Sequence, residues 1–483
     1  MTKISHVPDA KGSALVALKS TFNNLLFQRS ILLLIMFAVG VFSLLCIHDG
    51  HVWGGDFALY VSQAKAILNG TAHELYKENL FTTLHSVGVI GPYLYPYGFP
   101  VLISVLYYFV GMDFVLLKCY CTLFFILSVP LFYKLIGQST ENKLLALLVI
   151  FGVAFHPVYL QFSDSIFSEF PYLFFSLLSL ISITRDNHFR GQVLTGVFIF
   201  FSFWIRDVGI FLLPALLTHQ LQHQARGWKS FTLRQWLFLL CPYIIFVVLL
   251  AMNYLLLPQG GSNNIDMLST LTWQSIFNNF DYYLSMGLYY INLHRSWGTL
   301  FPVSLLTLMG LYVVARGQAS LITYFSLICL VLMCWPFFPG YRYLLPIIPF
   351  YLYFLGKGFV TVFKLSRIEK WSYVVLCMMM IAHTYIGINQ TVGYFDKNSN
   401  EVYTAELRNA YAFIKANLND SDVVAFRDPR VLRLFTGRTT IKTDLDHFEH
   451  SKADYWLAPK TAVGDISYPV VYETQNFVLL AKN

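Results

Sequence analysis

The sequence contains few charged residues. Only 12% of its 483 residues are Asp, Glu, Lys or Arg, whereas 56% are hydrophobic and 17% are aromatic. Soluble domains carry about 25% charged residues, so this composition excludes an ordinary soluble protein and is typical of a polytopic membrane protein. The net charge of +7 does not indicate a nucleic-acid-binding face, because most basic residues lie in short loops between apolar runs.

Cysteine is absent from the polar parts of the sequence. All seven cysteines lie in or beside apolar runs, which excludes a disulfide framework or a CxxC metal pair in the exposed regions. The sequence also lacks a glycine-rich phosphate loop and a GxSxG elbow, which disfavours P-loop enzymes and serine hydrolases. No internal repeat is visible, which disfavours the paired halves of many transporter folds.

Long apolar runs are abundant, and a run of about 20 residues can cross a bilayer as a helix. Nine clear candidates lie at 30–48, 113–134, 143–160, 166–184, 235–257, 298–315, 319–336, 341–362 and 371–390. The loop 49–96 and the loop that follows 113–134 are predicted on opposite sides of the membrane, so an odd number of crossings separates them. The run 113–134 supplies one crossing, and 97–112 is therefore expected to be a helix that is only half inserted. The stretch 191–221 is expected to form two short spans that turn at Arg206-Asp207, because one helix would place this charged pair near mid-membrane. The fold class is therefore an all-α membrane protein with about eleven spans.

The distribution of Lys and Arg predicts the topology through the positive-inside rule. Residues 1–29 form a cytoplasmic segment, and residues 30–390 form a transmembrane domain in the inner (plasma) membrane. The loops 49–96 and 258–297 are then outside, as is everything in 391–483.

The region 391–483 changes character, because about a quarter of its positions are charged and its apolar runs shorten to strand length. A small α/β domain is predicted. Its helices and strands are expected at 401–417, 422–426, 431–435, 439–442, 453–457, 470–473 and 477–481. Its arginines are expected on a solvated face, with an anionic partner as the alternative: Arg427, Arg430, Arg433 and Arg438.

A lone carboxylate, Asp56, lies in the first loop beyond a predicted span and precedes an amphipathic helix. It could serve as a general base, or it could simply cap that helix, since Asp is a preferred N-cap residue. Asp164 and Glu169 form a second acidic site, predicted on the same side of the membrane, with helix capping again the alternative. The aromatic turn at 92–100 could wall a sugar pocket or anchor the following helix.

Arginines at the outer ends of spans are candidates for binding a phosphate group, because the guanidinium fork matches phosphate geometry. Arg342 occupies such a position, and His294 with Arg295 offers the same chemistry. Arg206 is a further candidate, although the neighbouring Asp207 lowers its availability. Contact with ordinary lipid headgroups is the alternative for these side chains.

Taken in order, these motifs resemble the GT-C superfamily of integral-membrane glycosyltransferases, nearest to protein O-mannosyltransferases and bacterial aminoarabinose-transferase-like enzymes. The resemblance spans about three quarters of the chain. The matching pieces are GDFALY at 55–60, YPYGFP at 95–100, SDS at 163–165, SEFP at 168–171, RDVG at 206–209 and RYLLP at 342–346.

The resemblance implies a polyprenyl-phosphate-linked sugar donor and makes Asp56 the catalytic acid of the first loop. Many relatives carry adjacent acids there, whereas Phe57 follows Asp56, so Asp164 or Glu169 is left as the second acidic residue. No cofactor is expected. A divalent metal held by these three carboxylates is the alternative if the donor is a diphosphate.

The sequence thus predicts an inverting membrane glycosyltransferase that transfers a sugar to an envelope glycan, lipid or protein and has no nucleic-acid partner. A transporter or flippase for a lipid-linked sugar is the first alternative; it predicts ionisable residues deep in spans. A scaffold acting through residues 391–483 is the second.

Overall fold

The computed structural model of the chain describes ten segments of the sequence. They are residues 24–51, 54–88, 90–139, 143–185, 188–223, 231–259, 270–336, 340–395, 402–463 and 468–482. The predicted segment 1–29 therefore falls mostly outside the described residues, and so does part of the loop 258–297.

The described part of the chain is mostly helical. Its helices up to residue 395 are α1 (Leu25–Cys46), α2 (Asp56–Asn69), α3 (Ala72–His85), α4 (Gly98–Val110), α5 (Phe114–Ser139), α6 (Lys143–Ala154), α7 (Pro157–Phe162), α8 (Glu169–Arg185), α9 (Phe189–Ile205), α10 (Leu212–His223), α11 (Leu233–Leu256), α12 (Trp273–Tyr289), α13 (Trp297–Ala315), α14 (Ala319–Met333), α15 (Ile348–Leu365) and α16 (Glu369–Phe395).

Six of these helices are long and apolar enough to cross a membrane: α1, α5, α11, α13, α15 and α16. Large apolar side chains cover their outer surfaces, as on α1, where Leu34, Phe37 and Leu45 are 66%, 71% and 72% exposed. Exposure of so much apolar surface to water would be unfavourable, whereas contact with the hydrocarbon core of a bilayer is favourable. The prediction of a predominantly helical membrane fold is confirmed, while the count of eleven spans stays a prediction.

The break predicted within 191–221 is present. Helices α9 and α10 are joined at Arg206 by a short 3-10 turn, Asp207–Phe211. Gly209 packs so closely against the backbone of Phe203 that a Cβ atom would clash there, which explains a glycine in this turn. The turn places Arg206 at the end of α9 and directs its side chain toward the neighbouring α8.

The elements of the C-terminal α/β domain are the predicted ones and one short helix, Leu445–Phe448, that was not predicted. They are α17 (Ala405–Asn417), β1 (Val423–Ala425), α18 (Pro429–Thr436), β2 (Thr439–Ile441), α19 (Leu445–Phe448), β3 (Tyr455–Pro459), β4 (Val470–Glu473) and β5 (Phe477–Ala481). The strand order is β2-β1-β3-β5-β4, with parallel pairing among β2, β1 and β3 and antiparallel pairing elsewhere. Helix α18 stops at Gly437, whose φ of 74° is a left-handed conformation that glycine adopts readily.

This domain docks on the segment that follows α1, which we call the first-loop segment (residues 54–95). The hydroxyl of Thr82 donates to the carbonyl of Thr440 at 2.8 Å, and the backbone N–H of Val87 donates to the carbonyl of Lys442 at 2.8 Å. Strand β2 and the residues just after it are therefore hydrogen-bonded directly to α3 and its C-terminal end.

The prediction of a solvated arginine face is wrong for three of the four arginines. Arg430, Arg433 and Arg438 are only 7% to 8% exposed, and among the four Arg427 alone is well exposed. Helix α18 turns Arg430 and Arg433 toward the first-loop segment, where backbone and side-chain oxygens accept their hydrogen bonds. Arg438 donates to carbonyls within its own domain instead.

Candidate active site

Asp56 is the first residue of α2, and its side chain faces a buried cluster of charges. The N-cap residue of α2 is Gly55, and no side chain caps this helix. The capping interpretation of Asp56 is therefore wrong. The Tyr95 hydroxyl donates to Asp56 Oδ1 at 2.6 Å, and Arg342 Nη2 donates to Oδ2 at 2.9 Å. The carboxylate nevertheless keeps 27% of its side-chain surface exposed, which leaves it accessible to a reactant.

Arg342 lies on a 3-10 turn, Tyr341–Leu344, and bridges two carboxylates. Besides contacting Asp56, its Nε lies 3.0 Å from Glu169 Oε1. The guanidinium lies over the Phe167 ring, 4.4 Å from its centroid, and the side chain is 12% exposed. The contact with the Phe167 ring and the two carboxylate partners together restrict the orientation of this guanidinium.

Glu169 begins α8 and lies in the interior of the cluster, with a side-chain exposure of 3%. Its Oε1 also accepts a hydrogen bond from Arg206 Nη1 at 2.6 Å. Among the described residues no hydrogen-bond partner is found for its buried Oε2. Glu169 therefore holds two arginines side by side and retains one free acceptor.

A third guanidinium, Arg430, approaches Asp56 from the C-terminal domain, with Nη1 3.9 Å from Oδ1. The cluster thus contains three guanidinium groups and two carboxylates, an excess of one positive charge: Asp56, Glu169, Arg206, Arg342 and Arg430. Such an excess in a poorly solvated site favours binding of an anion.

The environment keeps Asp56 ionised. Burial alone would raise its pKa, but the Arg342 guanidinium, the Tyr95 hydroxyl and Arg430 outweigh burial and hold the pKa of Asp56 below its usual range. The pKa of Tyr95 is raised well above its usual value by burial and by Asp56, so this phenol stays protonated and donates. Asp56 is therefore ready to accept a proton at neutral pH.

The aromatic turn that precedes α4 forms one wall of the cluster. The Tyr95 ring stacks on the Tyr60 ring at a centroid distance of 4.5 Å. Gln63 fixes the backbone of Tyr95 through two hydrogen bonds, of 2.9 Å and 3.0 Å. The turn therefore holds the phenol that contacts Asp56, and its role as the wall of a sugar pocket stays a prediction.

The two acids of the second predicted site separate in the structure. Glu169 joins the cluster, whereas Asp164 forms a salt bridge with Lys118 Nζ at 2.7 Å. Asp164 also accepts a hydrogen bond from the backbone N–H of His48, and Lys118 donates to the His48 carbonyl, each at 2.7 Å. This pair ties α5 to the end of α1 and to the loop before α8.

Lys118 is a partner that the sequence analysis did not identify. It is 1% exposed and lies in the apolar run at 113–134. A single lysine inside an apolar run is itself a signal, because a buried ammonium group needs an acidic partner.

We expect Lys118→Met to destabilise the protein by about 3 to 5 kcal/mol, because it removes the ammonium group that neutralises the buried Asp164 carboxylate. Thermal unfolding in detergent would measure the loss. The double variant Lys118→Met with Asp164→Leu should recover much of the stability, since it removes both buried charges. A double variant as unstable as the single one would contradict this account of the pair.

The remaining predicted residues lie elsewhere. Arg295 forms a bidentate salt bridge with Asp281 on α12, and both side chains are about half exposed. His294 Nδ1 lies 3.1 Å from the Arg295 carbonyl. The structure therefore brings Arg342 and Arg206 into the cluster, while Arg295 pairs with a different carboxylate.

Within the described segments, no group of three or more His, Cys, Asp or Glu side chains is arranged to hold a metal ion. The ligand set considered above does not assemble, because Asp164 pairs with Lys118 while Asp56 and Glu169 share Arg342.

No protein-family model and no curated protein matches this sequence. Its fold, in contrast, matches solved structures over most of its length. The chain is a multi-pass membrane protein with the fold of the GT-C glycosyltransferases, as the resemblance predicted.

One similar structure is ArnT from Cupriavidus metallidurans bound to undecaprenyl phosphate. It has 12% sequence identity and a TM-score of 0.56, and the match covers 93% of this chain and 97% of that one. Another is the archaeal oligosaccharyltransferase AglB from Archaeoglobus fulgidus, in complex with an inhibitory peptide and a dolichol-phosphate. It has 11% identity and a TM-score of 0.55, covering 90% of this chain and 70% of that one.

Proposed function

We propose that this protein is an inverting glycosyltransferase that takes a sugar from a polyprenyl-phosphate-linked donor. It places the sugar on an envelope glycan, lipid or protein at the outer face of the inner membrane. The observation that carries the proposal is the direct contact of Asp56 with Arg342 inside a cluster that has an excess of positive charge. The similar structures hold undecaprenyl phosphate or a dolichol-phosphate, which supports a lipid phosphate as the ligand class.

The cluster contains the groups that such a reaction needs. Asp56 takes the proton from the acceptor hydroxyl or amine as the acceptor atom forms its bond to the anomeric carbon. The bond from that carbon to the phosphate oxygen breaks, and the polyprenyl phosphate leaves with the electron pair. Arg342 stabilises the charge that develops on the phosphate. Attack opposite the leaving group inverts the anomeric configuration.

Arg342 also couples donor binding to the strength of the base. In the structure it is shared between Asp56 and Glu169. A phosphate bound to Arg342 would compete with Asp56 for the guanidinium and add a negative charge nearby, so the pKa of Asp56 would rise. Asp56 would thus become a stronger base when a donor is in place, while Glu169, itself held by Arg206, keeps Arg342 anchored.

Mass spectrometry of envelope glycans and lipids from cells with and without the gene tests this proposal. We expect one sugar modification to disappear without the gene and its lipid-linked donor to accumulate. Detergent-solubilised membranes should retain gene-dependent transfer, because a transferase needs no membrane barrier whereas a transporter acts only across one. Transfer that is independent of the gene after solubilisation would overturn the proposal.

A further inference from the structure

Arg430 belongs to the C-terminal domain, yet its guanidinium lies against the residues that hold Asp56. Its Nη2 donates to the Pro92 carbonyl at 2.5 Å, and Nη1 lies 3.9 Å from Asp56 Oδ1. The guanidinium also lies 5.9 Å from the centroid of the Tyr95 ring. One side chain therefore contacts both the carboxylate and the turn that supplies its hydrogen-bond donor.

Two glycines face this side chain, and one of them leaves room for it. A Cβ atom at Gly91 would lie only 3.3 Å from Arg430 Nη2, whereas one at Gly55 would lie 3.5 Å from its Cβ and Cδ, an ordinary contact distance. Gly91 has a φ of 95°, a conformation that other residues rarely adopt. The first-loop segment thus accommodates the arginine beside Asp56.

A second arginine of α18, Arg433, holds this helix against the first-loop segment at a point further from Asp56. Arg433 Nη1 donates to Asn79 Oδ1 at 2.9 Å, and its Nε lies 3.6 Å from Glu78 Oε2. Both contacts are to helix α3 of the first-loop segment. Arg430 and Arg433 are one helical turn apart, similarly buried and in the same interface, but only Arg430 reaches Asp56.

We propose that Arg430 is a positioning residue for Asp56, so that the C-terminal domain completes the active site when it docks. The proposal deepens the glycosyltransferase function and rests on it. Undocking of this domain would withdraw Arg430, break its hydrogen bond to the Pro92 carbonyl in the turn and remove the excess positive charge from the cluster. The membrane-embedded part alone would then hold an incomplete site.

The test compares Arg430→Gln with the matched control Arg433→Gln in the full chain, purified in detergent. A hydrophobic carbodiimide reacts with carboxyl groups that are protonated, so labelling of Asp56 across a pH series, measured by peptide mass spectrometry, reports its ionisation. The groups that face or influence Asp56 are Arg342, Tyr95 and Arg430 directly, Tyr60 on its own helix, and Glu169 through Arg342.

We expect the labelling curve of Asp56 to move to higher pH in Arg430→Gln. At a fixed pH on the alkaline limb labelling should rise roughly tenfold, because one opposite charge is lost at this distance. Arg430→Lys should give an intermediate curve, and Arg433→Gln should match the unchanged protein. Thermal unfolding of each variant separates a general loss of folding from this local effect.

An unchanged curve in Arg430→Gln would overturn the proposal, as would an equal shift in Arg433→Gln, which would indicate only loosening of the interface. The labelling requires no sugar donor. If the glycosyltransferase function is wrong, the gene-dependent transfer experiment fails while this comparison still shows whether Arg430 controls Asp56.

Discussion

Replacement of Asp56 by Asn is expected to abolish sugar transfer while the protein stays folded and keeps its affinity for polyprenyl phosphate. The amide preserves the shape of the side chain and can still accept the hydrogen bond from Tyr95, but it cannot take a proton from an acceptor. General bases contribute about 10² to 10⁴ in rate, so a loss of at least about 100-fold is expected.

Binding of undecaprenyl phosphate separates this catalytic role from a role in ligand binding. Removal of one carboxylate raises the positive excess of the cluster, so Asp56→Asn should bind undecaprenyl phosphate at least as tightly as the unchanged protein. Asp281→Asn is the matched control, because Asp281 is an exposed carboxylate paired with Arg295, and it should retain transfer. Near-normal transfer by Asp56→Asn would refute its assignment as the base.

Replacement of Arg342 by Gln is expected to weaken undecaprenyl phosphate binding by about 10- to 100-fold, since charge-assisted hydrogen bonds are worth about 1.5 to 3 kcal/mol. It also removes the cation shared by Asp56 and Glu169. Breaking a buried ion pair costs about 3 to 5 kcal/mol. We expect the low end, because Arg206 still pairs with Glu169. Binding by native mass spectrometry and thermal unfolding measure the two effects separately.

Arg295→Gln is the control for Arg342→Gln. Its guanidinium pairs with an exposed carboxylate outside the cluster, so neither binding nor stability should change appreciably. The opposite outcome, with binding lost in Arg295→Gln and kept in Arg342→Gln, would place the phosphate site at the end of the loop 258–297 instead.

The sequence was sufficient to predict most elements of the fold, but not helices α3 and α12 or the break that divides the predicted span 143–160 into α6 and α7. Apolar runs located the membrane helices, and the charged pair at Arg206-Asp207 located the break between α9 and α10. The shortened apolar runs located the strands of the C-terminal domain and the short helix α18. These features follow from local periodicity and turn chemistry, which a single sequence displays directly.

The partners within the site were harder to predict. Asp56 and Arg342 could be chosen individually, since each is a charge at the end of an apolar run, but their contact joins residues 286 positions apart. The sequence around Tyr95 indicated only an aromatic turn. The hydrogen bond from Tyr95 to Asp56 depends on how Gln63 holds the backbone of Tyr95. Arg430 looked like a solvated residue, because nothing in its local pattern shows which surface its domain covers.

The separation of Asp164 from Glu169 has a similar cause. The two acids are five positions apart, and sequence proximity favoured a single site. In the structure Asp164 instead pairs with Lys118, whereas Glu169 pairs with Arg206 and Arg342. Tertiary pairing of buried charges is strong and specific, but a single sequence does not record which cation faces which carboxylate.

An experimental structure of the full chain in lipid nanodiscs with undecaprenyl phosphate tests the central claim most directly. We expect the phosphate within hydrogen-bonding distance of Arg342, with the Asp56 carboxylate facing the same cavity and Arg430 closing it from the C-terminal domain. Phosphate density at Arg295, or an Asp56–Arg342 pair sealed from the bound lipid by packed helices, would contradict the enzymatic account.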